Sequence, residues 1–284
     1  MGKASKVKVE LVEAKDLVDL IQVLKDVADM KYHAMLTQKG KFNRFSESFG
    51  EFFNLMQFSE VKHPLVANDN PVTVIVVVTT EQGFVGDLNS KVMARTLEEI
   101  EKHPNGIMVV VGKRGIMKFE QMGLKSEKSY EEIEAKGLYE TAIELKDYLV
   151  DLVMSNKVGR VVAIHPWPKD YTLIKPRLVK LLPCGEVLPQ KQTIEQFQQV
   201  LEESDPIDMT GYLANLWITS KLYEVFYDTN MAAAAAQTQQ LDSSLGKIKK
   251  ERDLVKLRWR KARKNDIDKS LREVFSARMM TLKK

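Results

Sequence analysis

Proline is missing from the first 63 and the last 78 residues of this 284-residue chain, and all nine prolines lie between Pro64 and Pro206. Inside a helix, proline removes a backbone hydrogen bond and clashes with the preceding turn, at a cost of about 3 kcal/mol. Two proline-free arms around a proline-bearing middle therefore predict two long helices flanking a globular insert. Cysteine is equally scarce. Cys184 stands alone, which excludes an internal disulfide framework and a cysteine-based zinc site and fits a reducing compartment. No apolar run approaches the roughly 20 residues that a membrane span requires. The longest, Val72 to Val78, is interrupted by Thr73 and reads as a buried strand. The N-terminal segment MGKASKVKVELVEAKD gains acidic residues early and has no apolar core, so no secretory signal is expected. Lys6 stands where a myristoylation signal after Gly2 would need a hydroxyl residue.

Familiar chemical motifs are missing too. There is no G-x-x-x-x-G-K-[ST], no H-E-x-x-H and no cysteine/histidine cluster, so no cofactor, metal or catalytic residue is expected. His33, His63, His103 and His165 are scattered, and Cys184 between Pro183 and Gly185 has no basic activator beside it. The stretch TTEQGFVGDLN (79–89) follows a strand as a phosphate-cradling loop would. It lacks the G-x-G-x-x-G spacing, and Asp87 would repel phosphate where a helix N-terminus should attract it. It reads as a tight strand-to-helix turn. Without an acid–base pair or a nucleophile, an enzyme built on the middle segment has no visible site.

The net charge of +4 is unevenly distributed. Residues 247–284 hold fifteen Lys/Arg and five Asp/Glu, a net of +10, which leaves −6 for the other 246 residues. A basic end of this kind seeks phosphate, an acidic protein surface or a solvated helix face. With Trp259 among its cations, the segment KIKKERDLVKLRWRKARK keeps a nucleic-acid-binding reading open.

In the first arm, Leu17, Leu20, Leu24 and Val27 step by three and four, with Ile21 and Ala28 beside them, and are expected to form the inward stripe of a helix. In the middle, strands are expected at 72–80, at IMVVVG (107–112) and at 158–165, separated by helices at Leu88–Lys102, Gly115–Met122 and Glu132–Ser155. That alternation predicts a mostly parallel α/β sheet, with TLIKPRLVKLLP adding antiparallel strand at one edge. In the last arm, Leu213, Leu216, Ser220, Tyr223 and Tyr227 step by three and four. After one four-residue skip the rhythm resumes through Met231, Ala234, Thr238, Leu241, Leu245, Ile248, Arg252, Val255, Trp259 and Ala262. This is coiled-coil spacing with a stutter. About 70 residues at 1.5 Å each make a rod on the order of 100 Å, and two such arms should pair antiparallel. The run Ala232–Ala236 permits close helix approach on the seam.

Three segments together resemble the gamma subunit of the F-type ATP synthase. VVVTTEQGFVGDLN (Val76–Asn89) is similar to the family's V-V-x-T-S-D-R-G-L-C-G-x-L-N, with Thr79, Gly83, Gly86, Leu88 and Asn89 on matching positions and Val85 replacing the cysteine. Val27, Ala28 and Lys31 match V-A-x-x-K in the first arm. LRWRKARKNDIDKSLREV resembles Y-N-x-A-R-Q-x-x-I-T-x-E-L-x-E-I through Ala262, Arg263, Ile267, Leu271, Glu273 and Val274, and VGKRG (111–115) adds a fourth, shorter match. The family's S-E-x-x-A-R-M pattern is replaced, with Ala233 and Gln237 at its charged positions, and Ile21 and Gln22 stand where the family shows Thr-Lys.

The resemblance implies a Rossmann-like α/β domain (72–192) flanked by a long antiparallel coiled coil of the N-terminal (1–60) and C-terminal (205–284) helices. It implies a noncatalytic rotor shaft of a proton-translocating complex. The expected partners are alpha- and beta-type subunits, an epsilon-type subunit and the membrane rotor ring, with no nucleic acid. The expected place is the cytoplasmic face of a bacterial inner membrane, or the matrix side in a mitochondrion. Lys31, Arg258, Trp259, Arg260, Lys261, Arg263, Ile267, Leu271 and Val274 would then meet the catalytic hexamer.

Overall fold

The computed structural model describes residues 3–55, 63–134, 137–186 and 205–281. The chain divides into two units, one formed by Met1–Ala28 with Thr238–Lys284 and the other by Asp29–Gln237. Helix α1 covers Lys3–Leu55 without a break at Gly40 or Gly50, and helix α5 covers Pro206–Thr281.

The larger unit is organised by a five-stranded sheet in the order β3-β2-β1-β4-β5. Strands β1 (Thr73–Val78), β2 (Ile107–Val111), β3 (Lys128–Tyr130) and β4 (Arg160–Pro168) run parallel, and β5 (Ile174–Leu182) is antiparallel to β4 at the edge. Strand β1 is buried along its whole length, as the near-continuous valine run of a central parallel strand requires. Val74, Val76 and Val78 face a core shared with α4 (Gly137–Met154) and the first turns of α5. Ile75 and Val77 face a second core under α2 (Leu88–Lys102) and α3 (Lys113–Gln121). Helix α2 and the antiparallel edge lie where the sequence places them. The segment read as one helix from Glu132 to Ser155 differs. Strand β3 ends at Tyr130, and α4 begins only at Gly137. Residues 187–192 of the expected middle domain lie outside the described residues.

Within this unit α1 and α5 run antiparallel against each other. The Tyr227 hydroxyl donates to the Met35 carbonyl at 2.7 Å, Lys39 pairs with Asp228 at 3.1 Å, and the Phe49 and Trp217 rings stack with centroids 5.4 Å apart. Tyr32 packs on Met231, Ala234 and Ala235, so the alanine run lets a large aromatic ring sit between the helices.

The smaller unit is a two-helix antiparallel coil. The Ala4 amide donates to Asp266 at 3.3 Å, Glu10 pairs with Arg258 at 3.6 Å, and Lys25 pairs with Asp242. From α5, Thr238, Leu241, Leu245, Val255 and Ala262 are buried while Ile248, Arg252 and Trp259 are half-buried, which is the heptad rhythm read from the sequence. The stripe expected on α1 is corrected in part. Leu17, Leu20, Leu24 and Val27 are 43–58% exposed, whereas Ala28 is buried and Ile21 half-buried as expected, and Leu11 and Val18 complete the buried face. Helix α1 carries two apolar faces in this stretch, and the one with Leu11, Val18 and Ala28 is buried.

Candidate functional site

The matching residues of the middle segment form one structural joint. Thr79 directly follows β1, and its hydroxyl accepts the Gly115 amide at 2.7 Å while lying 3.2 Å from the Val111 and Gly112 carbonyls. The two glycines make room for it. A Cβ on Gly112, at φ +98°, would sit 2.3 Å from the Thr79 carbonyl oxygen, and one on Gly115 would sit 2.5 Å from the Thr79 hydroxyl. Asn89 closes the turn by donating to the Thr80 hydroxyl at 2.8 Å and accepting the Thr80 amide at 3.2 Å. Leu88 and Val85 pack on Ala232, Ala233 and Ala236 of α5. Gly86 takes φ +59° in the same turn, and Phe84 (φ +60°) projects from it, 70% exposed.

What occupies the crevice beyond the strand ends is the chain's own helix. The Gln237 amide donates to the Gly83 carbonyl and to Gln82 Oε1, both at 2.9 Å. Gln82 donates onward to Glu134 at 2.8 Å, and Lys31 lies 3.4 Å from the same carboxylate. Neutral Gln237 and buried Ala233 thus replace charged residues of the family pattern at this joint. Burial, aided by the nearby carboxylates of Glu131 and Glu134, pushes the Glu81 carboxyl above its ordinary range.

A second polar group lies on the α5 side of β4. His165 is 1% exposed, and neither ring nitrogen has a hydrogen-bond partner. Burial, reinforced by the charges of Arg177 and Lys39, pushes its imidazole down to about 3. Arg177 and Lys39 both lie over the Trp167 ring, at 5.0 and 5.7 Å. Asp228 is 2% exposed and its carboxyl is raised by burial, against the pull of Lys39. Sequence reading missed this group, although a lone aspartate on a buried helix face was a visible signal. It also missed the β4–β5 hairpin tip, where Tyr171 donates to Asp29 at 2.7 Å and stacks on His33.

In the smaller unit, the other proposed contact residues gather on α5. Arg258, Arg260, Lys261 and Arg263 are exposed, and Arg263 lies 5.5 Å from the half-buried Trp259 ring. Ile267, Leu271 and Val274 are 49%, 51% and 65% exposed. They line an open groove of about 430 Å³ with Ala4, Arg263, Asp266 and Ser270. Lys31 belongs to the larger unit, where it pairs with Glu134. Among the described residues no helix is long and apolar enough to cross a membrane, and no cluster of His, Cys, Asp or Glu is arranged to hold a metal.

This architecture has known counterparts. A family model described as ATP synthase matches residues 3–278. The chain belongs to the ATP synthase family. Within that family it is 22% identical over 286 residues to the ATP synthase gamma chain of Actinobacillus succinogenes, covering 97% of this chain and 98% of that one. It is likewise 22% identical over 245 residues to the gamma chain of Lachnoclostridium phytofermentans, covering 82% of each. In fold it is similar to a chain of the rotor of the Euglena gracilis mitochondrial ATP synthase, with a TM-score of 0.62, 17% identity, and coverage of 93% of this chain and 98% of that chain. Its architecture is that of the ATP synthase gamma chain, the central stalk of the rotor. These similarities lend no support to the nucleic-acid reading of the basic end.

Proposed function

We propose that this ATP synthase family member is a noncatalytic shaft, seated in a hexamer of alpha- and beta-type subunits that carry the chemistry. One observation bears most of the weight. Beyond the contact between Ala4 and Asp266, α5 continues with Ile267, Leu271, Val274, Phe275 and Met279 all about half exposed or more. A single helix does not keep such a row in water without a surrounding surface. The cations from Arg258 to Lys264 would meet acidic loops of the sleeve, and the apolar end would turn in its bearing. A stiff asymmetric coil presents different faces to equivalent subunits, and it biases each by the difference between those contacts.

In this reading the Rossmann-like domain and the adjoining coil meet an epsilon-type subunit and the membrane rotor ring. The chain is then a peripheral part of a proton-translocating complex, on the cytoplasmic face of a bacterial inner membrane or the matrix side of a mitochondrion. The test is reconstitution of the full chain with alpha- and beta-type subunits. A stable complex whose ATP hydrolysis turns a particle fixed to the larger unit is expected, with no hydrolysis by the chain alone. A chain that stays separate from the hexamer, or one that hydrolyses ATP by itself, would overturn the reading.

A further inference from the structure

The two helices of the smaller unit each carry a second face, turned away from the seam between them. On α1, Val12, Leu17, Leu20, Val23, Leu24 and Val27 are 43–59% exposed. At about 100° per residue they fall opposite Leu11 and Val18. Glu13, Asp16 and Asp19 are exposed among and beside them, and residues 9–27 hold five carboxylates against two lysines. On α5, Leu254 and Leu257 are 62% and 52% exposed on the side opposite Leu245 and Trp259. Around them stand Lys247, Lys250, Arg258, Lys261 and Lys264, and residues 247–264 hold ten Lys/Arg against two Asp/Glu. One outer face is therefore apolar with acidic flanks, and the other is apolar with basic flanks.

We propose that the outer face of α1 docks lengthwise on the outer face of α5 in a second copy of this chain. The leucines and valines supply the contact, and the opposed flanks select orientation and raise the encounter rate. The two faces point away from each other, so each chain offers one to each of two neighbours. Such a contact is heterologous and grows head to tail instead of closing as a symmetric pair. The inference does not depend on the shaft reading. If both hold, self-association must be undone before the coil enters a sleeve of other subunits, which makes it a brake on premature assembly.

The experiment is sedimentation of the purified full chain from low to high micromolar concentration. Its average mass should climb past that of two chains, and the association should weaken several-fold at high salt, where charges are screened. Leu20→Gln/Leu24→Gln and Leu254→Gln/Leu257→Gln alter exposed positions only, and unchanged helical circular dichroism checks their folding. Each variant alone should associate at least about tenfold more weakly. Mixed, they should form a one-to-one pair and nothing larger, because one sound face of each kind remains. An unaltered chain that stays monomeric at every concentration overturns the proposal. So does a variant that associates like its parent, or a mixture that does not pair.

Discussion

Acid should weaken this protein, and one buried side chain, His165, supplies a separable share of the loss. His165 is held neutral at about 3 by burial and by the cations Arg177 and Lys39, whereas a histidine in the unfolded chain titrates near 6.5. Below that ordinary value the unfolded state binds a proton that the native state refuses, so stability falls as pH drops. The gap of about 3.5 units corresponds to a limit of about 5 kcal/mol at roughly 1.4 kcal/mol per unit. From about pH 7 to about pH 5 only the first part is spent, about 2 kcal/mol. Asp228, whose carboxyl is raised, acts with the opposite sign, since its native form takes up a proton early as pH falls. His165→Leu separates the two contributions, because Asp228 is present in both chains. The change also removes two ring nitrogens that lack partners, so stability near neutrality should hold or rise. Urea unfolding followed by tryptophan fluorescence is a suitable assay, since Trp167 and Trp217 lie in the same unit as His165. The variant should lose about 2 kcal/mol less than its parent between those two pH values. Parallel losses in the two proteins would refute the argument.

Three further outcomes are open to the same unfolding measurement. Gly112→Ala places a Cβ 2.3 Å from the Thr79 carbonyl at φ +98°, and a loss of at least about 2 kcal/mol is expected, whereas near-neutrality would show that the joint relaxes freely. Ala235→Leu overfills the gap occupied by Tyr32 and Met231, for about 1–3 kcal/mol; no loss would mean that the seam is looser than described. Lys39→Ala leaves Asp228 buried without its cation, for about 3 kcal/mol, and Asp228→Asn in the same chain should restore part of it. Equal losses with and without Asp228→Asn would break that link.

Much of the fold was legible because the signals were local and repeated. Helix α2 runs from Leu88 to Lys102 as its period and closing turn indicate, and the valine run of β1 needs no tertiary information. The heptad from Met231 to Ala262 was readable because each of its residues is buried or half-buried, without interruption. Helix α1 misled for a physical reason. Periodicity identifies an apolar face, but it cannot say which of two faces meets a partner in the same chain, and on α1 the face with Leu17, Leu20 and Leu24 points outward. Strand β3 escaped because three residues are too few to show a period of two. At the candidate site, the motif glycines were visible as turn residues. The reason for Gly112 and Gly115, a threonine hydroxyl arriving from another strand, lies 33 and 36 positions back in the sequence. The His165, Arg177, Lys39 and Asp228 group joins two strands and two helices, and no spacing rule connects such residues.

Gln237 gives the sheet an unusual fate. In open parallel sheets, the space past the carboxyl ends of the strands is where foreign molecules are commonly admitted. Here the helix side chain caps the β1 exit turn and, through Gln82 and Glu134, reaches the loop that follows β3. A scaffold that elsewhere grasps small molecules here holds part of its own polypeptide. Its selectivity is therefore exercised once, during folding, and any later variation of that surface is constrained by the helix it must keep gripping.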